Sequence, residues 1–157
     1  MLAKVYIETT VVSYLVARPN RDLRIAAHQE ATAEWWDRRR QEFELHVSQL
    51  VIDEAAAGDR EMATARLKRL EELPLLDVSD AAIALAERLM VDKAVPEQAE
   101  EDALHIAVAA VHGMDYLLTW NCKHIANATM RAKIEAVCLD AGYEAPVICT
   151  PEELLED

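Results

Sequence analysis

A chain of 157 residues has the size of one ordinary domain, long enough to build a substantial core. Its hydrophobic content of 52% with 29% charged residues excludes a disordered chain and a coiled coil, and no stretch approaches the roughly 18 consecutive apolar residues of a membrane span. The net charge of −13 opposes broad adhesion to nucleic acid, yet allows a local basic patch, a basic partner or an acidic site that holds cations.

Residues 3–8 read as the first strand. Val5, Tyr6 and Ile7 form the continuous apolar run of a parallel strand buried on both faces, and Glu8 closes it. A carboxylate in that position is costly to desolvate unless something cationic meets it. Thr9 and Thr10 can start a helix over 9–17, which "ARPNRD" ends. Residues 22–40 read as a helix with Asp22 as a first-turn acid, and 43–47 as a short strand. Ser48 is placed to cap a helix through "SQLVIDEAAAG", which Gly58 stops. A charged amphipathic helix over 59–73 and a brief strand over 74–78 follow. Ser79 caps a helix over 80–92, where Ile83, Leu85, Ala86, Leu89 and Met90 recur at helical spacing. Helices over 100–112 and 128–141 end at Gly113 and Gly142; "YLLTW" (116–120) and "PVICT" (146–150) supply the last strands. This alternation implies an α/β fold with a mainly parallel sheet.

Three glycines make tight hairpins improbable, and Cys122, Cys138 and Cys149 lack CxxC spacing, so reduced thiols are expected. The start "MLAKVYIE" enters a strand without the basic and apolar regions of a secretory leader, so a cytoplasmic location is expected.

In open α/β sheets, functional groups gather beyond the carboxyl ends of the strands. The sequence places Glu8, Glu54, Asp102, Thr119 and Asn121 there or at nearby helix starts. Each has a plain alternative: Glu8 and Asp102 as acids favoured by a helix dipole, Glu54 as a solvated helix residue, Asn121 as a turn or cap. Asp102 differs from its acidic neighbours Glu97, Glu100 and Glu101 in sharing a helix face with Ile106 and Ala109. Together the oxygen-bearing set reads as a cup for a hard divalent cation, Mg²⁺ or Mn²⁺. His105 and His112 read as structural. A zinc site from His105, Cys122 and His124 lacks the paired spacing of structural zinc modules. No GxGxxG, GxxxxGK[ST], HExxH or GxSxG motif occurs. Trp35 and Trp36 read as packing anchors, or, with Arg38, Arg39 and Arg40, as an aromatic–arginine interface patch; Arg60, Arg66, Lys68 and Arg69 make a second basic face.

Four segments in order, "VYIETT", "VSQLVIDEAAAGD", "EDALHIAVAAVHG" and "LLTWNCKHI", resemble the PIN-domain ribonucleases, in particular the VapC-like toxins of bacterial toxin–antitoxin pairs, over nearly the whole chain. Two positions depart from the family pattern. Glu8 stands where aspartate is commoner, and Asn121 where a fourth acid is usual. The resemblance implies one PIN-like domain over 1–157, a three-layer α/β/α sandwich and metal-dependent hydrolysis of RNA. It implies Mg²⁺ or Mn²⁺ held by Glu8, Glu54 and Asp102, with Thr119 and Asn121 positioning the remaining waters and Asn121 able to ligate through its carbonyl oxygen. It further implies a homodimer and a cognate antitoxin. A catalytically degenerate PIN domain that binds RNA or protein is the main alternative. A receiver-like signalling module fits less well, because the first strand ends in a single acid and "PVICTPEE" lacks a lysine.

Overall fold

The computed structural model describes residues 1–156. Its strands are β1 (Ala3–Ile7), β2 (Phe43–Ser48), β3 (Leu75–Leu76), β4 (Tyr116–Leu118) and β5 (Val147–Cys149), all parallel, in the order β3-β2-β1-β4-β5. The α-helices are α1 (Thr9–Val16), α2 (Leu23–Arg39), α3 (Gln49–Ala55), α4 (Arg60–Leu70), α5 (Asp80–Val91), α6 (Glu100–Val111) and α7 (Ala128–Asp140). One group of helices forms where α1 packs on α2, α3 and α4, and a second where α5 packs on α6 and α7; the sheet is the middle of three layers. Because β1 lies at its centre, Val5, Tyr6 and Ile7 are wholly buried, which accounts for the unbroken apolar run.

The chain steps outward from β1 to β2 and β3, then crosses back to lay β4 on the other side of β1. The strand order therefore reverses between β1 and β4, the position where open α/β sheets leave a crevice beyond their carboxyl ends. Val5 pairs with Tyr116 and Ile7 with Leu118, and the Glu8 N–H extends the ladder to the Leu118 carbonyl at 3.0 Å.

Several elements are shorter than the sequence suggests, each for a local reason. β1 stops at Ile7 because Glu8 is the N-cap of α1. Beyond β4, Thr119 N–H still reaches the Cys149 carbonyl at 3.0 Å, but the ladder goes no further, because the following donors are diverted to side chains: Trp120 N–H to Thr10 Oγ1 (2.8 Å) and Asn121 N–H to Thr119 Oγ1 (2.9 Å). α4 ends at Leu70, ahead of Leu73, whose position before Pro74 disfavours helical backbone. Ser48 does not cap α3 with its side chain; its hydroxyl lies 2.8 Å from the Tyr6 hydroxyl instead. Gly113 and Gly142 close α6 and α7 at φ of 68° and 94°, backbone that suits glycine.

The aromatic–arginine interface patch is corrected by burial. Trp35 is 0% exposed and Trp36 5%, so both are packing anchors within the core. The arginines after them are engaged within the chain: Arg38 pairs with Glu34, Arg39 pairs with Glu42 and donates to the Leu155 carbonyl, and Arg40 lies over the Trp36 ring while donating to its carbonyl. Arg66 likewise leaves the second basic face, donating to the Ala55 and Ala57 carbonyls at 2.9 and 2.6 Å beyond the end of α3. All three cysteines are free; burial pushes the Cys138 thiol up to about 11 and the Cys149 thiol up to about 12. Among the described residues, no helix is long and apolar enough to cross a membrane.

The burial of Trp35 carries a test. Trp35→Ala is expected to cost about 3–5 kcal/mol in denaturant unfolding. Arg38→Ala, which breaks an exposed i,i+4 pair, is expected to cost no more than about 0.5 kcal/mol.

Candidate metal centre

The cap geometry of α1 aims Glu8 into the crevice. With extended backbone at the cap, its Oε2 accepts the Thr10 N–H at 3.2 Å, while Oε1 accepts the hydroxyls of Thr10 and Thr119, each at 2.5 Å. The side chain is nearly buried. Hydroxyl and amide donors thus satisfy its lone pairs, and they leave its charge uncompensated.

Glu54 reaches the same place from the last turn of α3. Its Oε1 accepts the Thr9 hydroxyl and lies 2.8 Å from His105 Nε2 on α6. Burial on its own would raise the Glu54 carboxyl, but the hydrogen bond with His105, with further bonds from Thr9 and Glu101, holds it below its ordinary value. Glu101 moves the opposite way, because the hydrogen bond and charge of Glu54 favour its protonated form. Behind them, His105 Nδ1 lies 2.8 Å from the Tyr6 hydroxyl. Burial raises that phenol well above its usual range; the Ser48 bond opposes the rise, and the charges of Glu8 and Glu54 add to it.

Asp102 sits in the first turn of α6, with each oxygen engaged. Oδ1 accepts Asn121 Nδ2 and Oδ2 lies against His124 Nδ1, both at 3.0 Å. The Asn121 carbonyl oxygen accepts the His124 N–H at 3.0 Å. An amide is the side chain that can do both, since an ionised aspartate has no proton to give Asp102.

The ligand atoms of Glu8, Glu54 and His105 lie within 4.8 Å of one another, and that group does not include Asp102. Asp102 is joined to it through Asn121, whose N–H bonds Thr119, whose hydroxyl bonds Glu8. Glu8, Thr119, Asn121 and Asp102 thus form one hydrogen-bonded chain, and Glu54 stands beside it with its carboxylate in range of Glu8. Sequence reasoning assigned no site role to Thr9, Thr10, Tyr6 or Glu101, and weighed His105 and His124 only as zinc ligands with Cys122. A signal for His105 existed: it follows Glu101 by four residues and Asp102 by three, which puts it on their helix face.

The PIN domain family model matches residues 5–124, and the chain belongs to the PIN-domain family. Among solved structures, it is similar to a chain in "Crystal structure of VapBC2 from Rickettsia felis bound to a DNA fragment from their promoter". The identity is 14% and the TM-score 0.61, over 94% of this chain and 98% of that one, a likeness of fold. No curated protein gives a significant sequence match.

The Asn121 contacts predict a pH-dependent substitution. Asn121→Asp sets two carboxyls about 3 Å apart, which raises the folded-state pKa of one of them. A raised carboxyl pKa favours the fold at low pH and disfavours it as pH rises. The variant is therefore expected to match the wild type near the ordinary carboxyl pKa of about 4. By pH 7 it is expected to lose about 1–3 kcal/mol, read from thermal unfolding across pH without added metal.

Proposed function

We propose that the chain is a divalent-cation-dependent endoribonuclease of the VapC type, held in check by a cognate antitoxin. One observation carries the reading. Glu8 and Asp102 are joined through Thr119 and Asn121, Glu54 lies with a carboxylate oxygen within 4.8 Å of Glu8, and no lysine or arginine is among the bonds to these three acids in the described residues. Such a cluster is short of positive charge.

The oxygen-rich donor set fits Mg²⁺ or Mn²⁺. Glu8, Glu54 and Asp102 would hold the ion, with Asn121 contributing its carbonyl oxygen or orienting a water. When bound, such an ion lowers the pKa of a coordinated water and offsets charge on the attacked phosphate. The protein's own share is positional and acid–base. Thr10 and Thr119 fix Glu8, Asn121 and His124 fix Asp102, and Thr9 and His105 fix Glu54. A carboxylate oxygen of the cluster is suited to take the proton from an attacking water. Single-stranded or structured RNA is the proposed substrate.

The partner assignments rest on the family and on the VapBC2 likeness. A homodimer is supported locally by exposed apolar side chains, Val91 at the end of α5 and Leu139 on α7. A second reading, in which the domain binds RNA or protein without cleaving, draws on Asn121 in place of the usual fourth acid.

Cleavage of a labelled RNA decides between them. The wild type is expected to cleave with Mg²⁺ or Mn²⁺ and to stop when EDTA is added. Asp102→Asn is expected to lower the rate at least about 100-fold. Its stability is expected to change by no more than about 1 kcal/mol, since one of two hydrogen bonds to Asp102 is lost while charge repulsion falls. No cleavage with either ion would favour the binding-only reading, and EDTA-resistant cleavage would overturn the metal mechanism.

A further inference from the structure

His105 is 1% exposed within α6, among alanine, valine and isoleucine side chains. A buried imidazole needs partners for both nitrogens, and a satisfied core histidine would find them in any convenient carbonyl or hydroxyl. Here the partners form a line. The Ser48 hydroxyl, at the end of β2, lies 2.8 Å from the Tyr6 hydroxyl on β1. That hydroxyl lies 2.8 Å from His105 Nδ1, and His105 Nε2 lies 2.8 Å from Glu54 Oε1. Ser48 and Tyr6 are both wholly buried. The line starts in the core and ends on a carboxylate of the crevice.

Its direction is fixed by its last member. A carboxylate oxygen accepts, so Nε2 carries the proton and donates to Glu54. In the neutral ring Nδ1 then accepts from the Tyr6 O–H, and the Ser48 O–H is left to donate to the Tyr6 oxygen. One tautomer satisfies every link. An apolar side chain of similar volume would fill the same slot without desolvating an imidazole, a phenol and a hydroxyl. The arrangement also falls on the acid most in need of support. Glu54 projects from the last turn of a seven-residue helix, its side chain is 23% exposed, and its other bond to Oε1 comes from Thr9.

We propose that His105 is a positioning residue: held in one tautomer by Tyr6 and Ser48, it fixes the Glu54 carboxylate in the orientation that receives a divalent cation. This rests on the cation reading of the site given above. The imidazole acts through Glu54 and does not itself coordinate the ion, because both of its nitrogens are already engaged.

Mn²⁺ binding to the purified full-length protein tests this, with free Mn²⁺ read by its EPR signal and thermal unfolding read in parallel. His105→Leu removes the donor at similar volume and is expected to weaken Mn²⁺ binding about tenfold or more. His105→Gln can return an N–H near the Nε2 position, so it is expected to recover most of the affinity. Tyr6→Phe, which releases the tautomer while leaving His105 in place, is expected to weaken binding by a smaller factor. Should His105→Leu fail to fold, the Gln and Phe variants carry the comparison, and wild-type affinity in Tyr6→Phe would then overturn the proposal. Wild-type affinity in a folded His105→Leu would also overturn it, leaving a core histidine. A directly coordinated histidine nitrogen in pulsed EPR of the wild type would overturn it in favour of ligation. A wild type that binds no Mn²⁺ would overturn the cation reading itself and the positioning role with it, whereas equal binding by wild type and variants overturns the positioning role alone.

Discussion

Like charges held together without counter-charges are the constraint around which this molecule is arranged. Two carboxylates about 4.8 Å apart repel by roughly 3–4 kcal/mol at the effective dielectric of a protein surface, and more where water is excluded. Glu8 and Glu54 approach to that range in a crevice where Glu8 is nearly buried. The fold tolerates them through directed donors. Thr9, Thr10 and Thr119 turn hydroxyls onto the acids, α6 presents an imidazole, and Asn121 lends an amide. Each donor satisfies a lone pair and none removes a full charge, so the cluster is geometrically settled and electrostatically unsatisfied.

The same requirement explains features that otherwise look like irregularities. β4 is three residues long because the Trp120 and Asn121 N–H groups are given to Thr10 and Thr119, and those threonines are thereby locked in place to serve Glu8. α1 begins immediately after β1 because its cap is one of the acids. The net charge of −13 is in this view partly a local matter. Arginines that might have offset the acids are spent elsewhere: Arg66 beyond the end of α3, Arg40 on Trp36, Arg88 between Asp92 and Asp140.

The fold was largely legible in the sequence, because its signals are local. The apolar run of β1, the serine cap at Ser79 and the terminating glycines each act over a few residues, and the structure retains them; Asp22, read as a first-turn acid, is instead the cap of α2. Element ends were less legible, since β4 is shortened by contacts from residues more than a hundred positions away. In the site, the acids could be read because strand ends and helix starts are sequence-visible. The donors could not. Threonine after an acid reads as a helix start, and a histidine amid alanines reads as core; only the packing of α6 against β1 turns His105 toward Glu54. Trp35 and Trp36 illustrate the reverse case, an aromatic–basic string whose interface reading disappears once α2 is seen to bury both rings.

The Thr10 hydroxyl gives its proton to Glu8 and takes the Trp120 N–H, so one side chain joins the first strand's end to the fourth's. Thr10 and Trp120 lie 110 residues apart in the chain, and the Glu8–Thr119 bond spans 111. An unfolded chain therefore has no semblance of this cluster, and repulsion among the acids arises only as the native sheet closes. Any cation that settles in the crevice consequently meets its ligands in the folded state alone. By mass action, the free-energy gap between folded and unfolded chain must widen as such a cation becomes more abundant, by about 1.4 kcal/mol for each tenfold rise above its dissociation constant. For a cation that binds there, the persistence of the folded molecule would be tied to the ionic composition around it.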